Sequence, residues 1–253
     1  MTGNPQTHLR DLLAVGDSLV QEPTGTSLVL ADRLPWLADQ IRADARSGRF
    51  DVWGRSTATD RTAGHRVIPP HIVQQLAALA GLTFAWPVCN AGLLHVYGYL
   101  LSATPTIHGP KRDRWLTPQL PTALGLDATA FAPWEPTSTA LDRVAAVARP
   151  ILNSPGDDED VRFWCDERDG SITTRTVVVC RGSSLDAALV YGVNEGQGMR
   201  LVTMFPIAGF NAAGFDEEWI AQWLSEPPRL RYNAVALDRQ AGAPLADRRV
   251  SRD

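Results

Sequence analysis

VRFWCDERDGSITTRTVVVCRGSSLDAALVYGVNEGQGMRLVTMFPI, residues 161–207, is the stretch that decides the fold class. Four segments within it, Val161–Glu167, Ile172–Arg181, Leu185–Val193 and Arg200–Ile207, are rich in β-branched and aromatic residues and read as strands. Turn formers separate them at Asp169-Gly170, Gly182-Ser183-Ser184 and Asn194–Gly198. Connections this short join antiparallel neighbours, because a parallel pair needs a long crossover. The segment is therefore an antiparallel meander. Beyond it, Asp216–Ser225 predicts a helix with acidic residues in its first turn, and Leu230–Leu237 a fifth strand. Residues 238–253, charged and broken by Gly and Pro, predict a disordered tail.

Upstream of the meander the periodicity is helical. Leu9, Leu12, Leu13, Leu19 and Val20 recur at helical spacing in residues 8–21, and Ser27–Ser47 predicts a second helix with Leu30, Leu34, Trp36, Leu37 and Ile41 on one side. Residues 48–66 read as a short strand, Phe50–Trp53, and a polar loop. Pro70–Ala80 predicts a helix with proline in its first turn, Leu82–Val88 a short buried strand, and Ala91–Ser102 a buried helix. A Pro-rich stretch, Pro118–Pro136, leads to a short helix at Ala140–Ala148. Helices first and a meander second define an α+β fold: a helical N-terminal half packed on a C-terminal antiparallel β-meander with a late helix. Residues 1–150 make the mostly helical half and 151–237 the meander and late helix of the same domain, with Pro150–Asp160 the candidate subdomain boundary.

Residues 67–110 contain no Asp, Glu, Lys or Arg. Pro69, Pro70, Pro87, Gln74, Gln75, Asn90 and His95 interrupt this run too often for a membrane span, so it reads as the centre of the core. With a net charge of −4 and a pI of about 5.7, the chain lacks a basic field for nucleic acid or an anionic membrane. The first ten residues lack the order of a signal peptide, and the three cysteines, Cys89, Cys165 and Cys180, fit a reducing compartment. The expectation is a cytoplasmic protein acting on a small molecule, with no cofactor and no metal, since no dinucleotide fingerprint, P-loop or metal-ligand spacing is present. Asp157–Asp160 reads as an acidic linker rather than a calcium loop. Oligomeric state is not legible.

Lys111 is the one lysine among 24 basic residues. A GC-rich coding bias converts replaceable lysines to arginine, so a lone survivor points to a place where a compact ammonium matters. It opens the cluster Lys111-Arg112-Asp113-Arg114-Trp115, which follows the turn His108-Gly109-Pro110 at the end of the charge-free run. Lysine offers a point charge or an amine, Arg112 and Arg114 a bidentate grip on a carboxylate or phosphate, and Trp115 an apolar wall. A solvated loop, with Asp113 pairing its neighbours, is the competing reading. On the preceding helix His95, Tyr99 and Ser102 share one face at i, i+4 and i+7, either satisfying one another or lining a cavity. Arg175, on a central strand, needs a partner if buried or a ligand if not.

Two nucleophiles compete. Cys89 falls between a predicted strand and a predicted helix, a placement that lowers a thiol pKa and is similar to that in papain-like cysteine hydrolases and acyltransferases, with His65, His71, His95 or His108 as base. A buried, inert cysteine is the alternative. The string Gly16-Asp17-Ser18-Leu19 resembles the signature of GDS-L esterases and lipases, which implies Ser18 as nucleophile after a first strand. The resemblance also implies an Asp-x-x-His near the C-terminus. The chain has none, its last histidine being His108, and Asn90 sits in Cys89-Asn90-Ala91-Gly92 rather than Gly-x-Asn-Asp. Serine without its base is a weak nucleophile, so a chance occurrence in an amphipathic helix is expected. The leading expectation is cofactor-independent hydrolysis or acyl transfer on an anionic or amide-containing metabolite. The rival is a non-catalytic protein-binding or inhibitor module that uses its sheet face, with Trp164, Trp219 and Trp223 exposed.

Overall fold

The computed structural model describes residues 4–21, 28–50, 66–82, 93–106, 109–135, 137–154, 156, 158–169, 172–181, 186–194 and 196–207. Eight helices precede a sheet: α1 Pro5–Gln21, α2 Leu30–Arg33, α3 Pro35–Arg46, α4 Pro70–Leu79, α5 Leu94–Leu100, α6 Asp113–Leu116, α7 Gln119–Ala123 and α8 Ala140–Asn153 among the described residues. The strands are β1 Val161–Asp169, β2 Ile172–Val179, β3 Ala187–Asn194 and β4 Arg200–Ile207. They pair antiparallel in the order β1-β2-β3-β4. The meander read from the sequence and the α+β class both hold.

Where elements start and stop follows local chemistry. Asn4 Oδ1 accepts from the Gln6 N–H at 3.0 Å, capping α1 ahead of Pro5. The single helix expected over Ser27–Ser47 is two, because Pro35 pushes the residue before it out of helical backbone, and Leu34 sits at φ −134°, ψ 63°. α3 ends on Gly48, whose φ of 68° is open to glycine, and the Arg49 N–H then closes the end on the Asp44 carbonyl at 2.9 Å. The expected Ala91–Ser102 helix is shorter, and Ser102 stands beyond its end. Conversely α8 runs past Ala148 and through Pro150 to Asn153. The proline removes one hydrogen bond in the last turn, offset by burial of Ile151 and Leu152. α8 therefore extends into the start of the Pro150–Asp160 segment, and its last turn belongs to the core.

One hydrophobic cluster takes Leu12 and Val15 from α1, Leu37 and Ile41 from α3, Tyr97 from α5, Leu141 and Val144 from α8, and Val177, Val190 and Met204 from the sheet. α7 and α8 lie on that face of the sheet. Gly192 on β3 makes the fit: a Cβ there would stand 2.9 Å from Leu152 Cδ1. Strand register places Phe163, Val178, Leu189 and Phe205 in one cross-strand row, and Cys165, Thr176, Tyr191 and Thr203 in the next. These rows share the opposite face with a second apolar cluster. The uncharged α4 is used for polar work as well: the Gln75 side chain accepts from Leu30 N–H and donates to the Leu28 carbonyl, both at 2.8 Å, fixing the start of α2. Among the described residues no helix is long and apolar enough to cross a membrane. Residues 51–53 of the expected first strand, residues 83–88 of the expected buried strand, the helix Asp216–Ser225, the strand Leu230–Leu237 and the tail 238–253 lie outside the described residues.

Candidate functional site

α5 is buried along almost its whole length, which a run of Leu, Val, Tyr and Gly without charge dictates. The His95 and Tyr99 rings, one helical turn apart, meet edge to face with centroids 5.2 Å apart. After the helix the chain bends at Ser102, whose N–H bonds the Tyr99 carbonyl at 3.0 Å. Ser102 is 3% exposed, and its hydroxyl is buried without a hydrogen-bond partner. Its carbonyl accepts from the Arg112 N–H at 3.3 Å, so the basic cluster folds back against the end of α5.

The turn between them is built from its own residues. Thr106 Oγ1 donates to the Gly109 carbonyl at 2.6 Å, the Gly109 N–H returns to the Thr106 carbonyl at 3.0 Å, and Gly109 has a φ of 76°. Lys111 follows, and it is 5% exposed. That burial does not fit the solvated-loop reading of this lysine. Arg112 reaches the other way, its Nη1 lying 2.8 Å from Asp17 Oδ1 on α1. Arg114 stacks over the Phe205 ring of β4 at 4.8 Å, bringing the cluster to the sheet edge. Trp115 is buried edge-on to Phe131, and its indole N–H has no acceptor.

The structure thus brings the end of α5, with His95, Tyr99 and Ser102, against the start of the basic cluster through the Ser102–Arg112 backbone bond, while Arg112, Arg114 and Trp115 reach to α1, β4 and Phe131. Arg175 is elsewhere. Its guanidinium bonds both Asp166 oxygens, at 2.7 and 2.6 Å, donates to the Leu152 carbonyl at 2.6 Å and covers the Trp164 ring. It ties the end of α8 to the sheet. Cys89 and His108 lie outside the described residues. Gly16-Asp17-Ser18-Leu19 is interior to α1, and the Ser18 hydroxyl donates to the Val15 carbonyl of its own helix at 2.7 Å. That is not the strand-end placement the esterase resemblance implies.

A second buried polar group, unread in the sequence, lies between α3, α5 and α8. Asp44 is 0% exposed. Its Oδ1 accepts from Thr139 Oγ1 at 2.5 Å and its Oδ2 from the Tyr97 hydroxyl. Thr139 Oγ1 in turn accepts from the Asp142 N–H at 3.0 Å, capping α8. Gln40 donates to the Pro133 carbonyl and accepts from the Ala140 N–H at 3.2 Å. Burial raises the Asp44 carboxyl to about 6, against the lowering effect of the Thr139 and Tyr97 hydroxyls. Its signal was present: Asp44 continues the apolar face of Leu37 and Ile41, and Thr139-Ala140-Leu141-Asp142 has the form of a capping box. No group of His, Cys, Asp and Glu able to hold a metal occurs among the described residues. No protein-family model, curated protein or solved structure matches the chain.

Proposed function

We propose that the chain binds a small anionic metabolite where α5 meets the 102–115 turn, and acts on it by cofactor-independent hydrolysis or acyl transfer. The burial of Lys111 at 5% exposure carries the reading. An ammonium taken out of water loses several kcal/mol of hydration, so a lysine is rarely buried without a specific use. A chain that uses arginine nearly everywhere keeps lysine here, where a compact charge or a titratable amine has a use that a guanidinium cannot serve. Ser102 adds a buried hydroxyl with both donor and acceptor capacity. His95 adds an imidazole, and an ammonium, a hydroxyl and an imidazole are the usual equipment of acyl transfer. Tyr99, Arg114 and Trp115 would shape the pocket, while Cys89 and His108 keep the nucleophile and base roles their sequence positions suggest.

The binding-module alternative would use the sheet face: Val177, Val178, Leu189 and Val190 of β2 and β3 are buried, Trp164 of β1 is 37% exposed, and Trp219 and Trp223 lie outside the described residues. The esterase alternative requires a Ser18 hydroxyl not held by its own helix.

Melting of the full chain with a panel of carboxylates and phosphate monoesters tests the proposal. A ligand at a hundred times its Kd stabilises by about 2.7 kcal/mol. Wild type should melt higher with at least one compound, and Lys111→Met, which keeps an apolar stem and removes the charge, should not respond. A response retained in Lys111→Met would sink the anion site. Loss of the response in Lys111→Arg as well would assign the role to the compact ammonium.

A further inference from the structure

We infer that Gly16 and Asp17 are positioning residues for Lys111, with α1 serving as the platform on which Leu101 and Arg112 are held together. Its functional consequence rests on the reading above; its structural basis does not. A glycine inside a helix costs about 1 kcal/mol relative to alanine, so one at the centre of α1 calls for a reason. A Cβ at Gly16 would stand 2.9 Å from the Leu101 carbonyl oxygen and 3.3 Å from Arg112 Nη1. The first is a backbone atom and cannot swing aside. The next residue, Asp17, holds the Arg112 guanidinium at 2.8 Å.

Two successive positions of one helix therefore touch both ends of a single loop, its entry at Leu101 and its exit at Arg112. The Arg112 N–H to Ser102 carbonyl bond closes the same loop at 3.3 Å. Lys111 is the residue immediately before that closure, so its placement depends on both contacts. The burial pattern agrees: Asp17 is 56% exposed, whereas the Arg112 side chain it holds is 18% exposed. Gly16 and Asp17 thus acquire roles unrelated to those the esterase signature implies, and Ser18 acquires none toward this loop, its hydroxyl being bound at 2.7 Å to Val15.

The lone lysine makes the test direct. The full chain, grown on lysine carrying nitrogen-15 at Nζ, gives a single side-chain signal, that of Lys111, whose pH titration reports its surroundings without any ligand. The charge-neutral Gly16→Ala should displace that signal and shift its midpoint by about half a pH unit or more, since a changed neighbourhood of charges and solvent moves an amine pKa. Asp17→Asn should lower the midpoint, because the Arg112 guanidinium next in sequence loses its counter-charge and disfavours the neighbouring ammonium, and Asp17→Glu should restore it. Ser18→Ala should match wild type. Should Gly16→Ala fail to fold, the Asp17 pair decides the matter. Wild-type signal position and midpoint in both Asp17→Asn and any folded Gly16→Ala protein would overturn the inference. Persistence of the anion response in Lys111→Met removes the functional reading yet leaves this titration unaffected, so the two failures are told apart.

Discussion

The Asp44 cluster and the Lys111 turn are both buried and polar, but their hydroxyls are used differently. Around Asp44 the hydroxyls of Tyr97 and Thr139 both donate to one carboxylate, and the amide of Gln40 bonds backbone groups. At the turn, the Ser102 hydroxyl and the Trp115 indole N–H are buried with nothing bonded to them. An unmade buried hydrogen bond costs on the order of 1–3 kcal/mol, so a closed network reads as architecture and an incomplete one as room for something else. Arg143 belongs to the first kind: its guanidinium donates to the carbonyls of Ala130 and Ser138, at 2.8 and 2.7 Å, and to that of Ala132, pinning the chain that leads into α8.

The contrast can be broken at its strongest point first. Thr139→Ala removes both the α8 cap and a donor to Asp44, and should cost about 2–4 kcal/mol in denaturant unfolding. A loss under about 0.5 kcal/mol, the usual surface value, would mean the cluster is not architectural.

Next in size is a pH effect. The folded Asp44 carboxyl titrates at about 6, above its ordinary unfolded value, so the folded state binds the proton more tightly. Its contribution to stability is fully present below about pH 4 and is lost as pH rises through about 6, a change of order 3 kcal/mol. Wild type should therefore lose more stability between pH 4 and pH 7 than Asp44→Asn does. Parallel pH profiles for the two proteins would contradict the assignment.

At the turn, Lys111→Met should cost about 1–3 kcal/mol, the loss expected for one buried polar interaction, while abolishing the melting response to anions. Thr139→Ala should lower stability more and leave that response intact. Equal effects of both substitutions on the response would erase the distinction between the regions. Smallest of all, Ser18→Ala should change stability by no more than about 0.5 kcal/mol and leave any activity within a few-fold of wild type. A loss of roughly a thousand-fold would restore Ser18 as a nucleophile.

Much of the fold was legible because its signals are local. The β-branched runs and the turn formers between them placed β1 to β4, and apolar spacing located α1 and α4 to within a few residues. The errors were local competitions as well. Pro35 broke a helix that periodicity alone would continue, and burial of Ile151 and Leu152 carried α8 past a proline that would ordinarily stop it.

The site divided differently. Composition singled out Lys111, and the charge-free run before it marked a core, so the sequence by itself determined which segment was chemically unusual. Tertiary structure alone decided that Lys111 is buried, that Arg112 is held by Asp17, and that the GDS-L string is a stretch of helix fitted to a loop. It also decided that Asp44 is a buried carboxylate. The physical reason is distance along the chain: Asp17 and Arg112 are 95 residues apart, and Asp44 and Tyr97 are 53 apart. Helical and strand periodicity reports which side of an element is apolar. Whether a polar group on that side meets a carboxylate, a carbonyl or nothing depends on elements that only the packed core brings together.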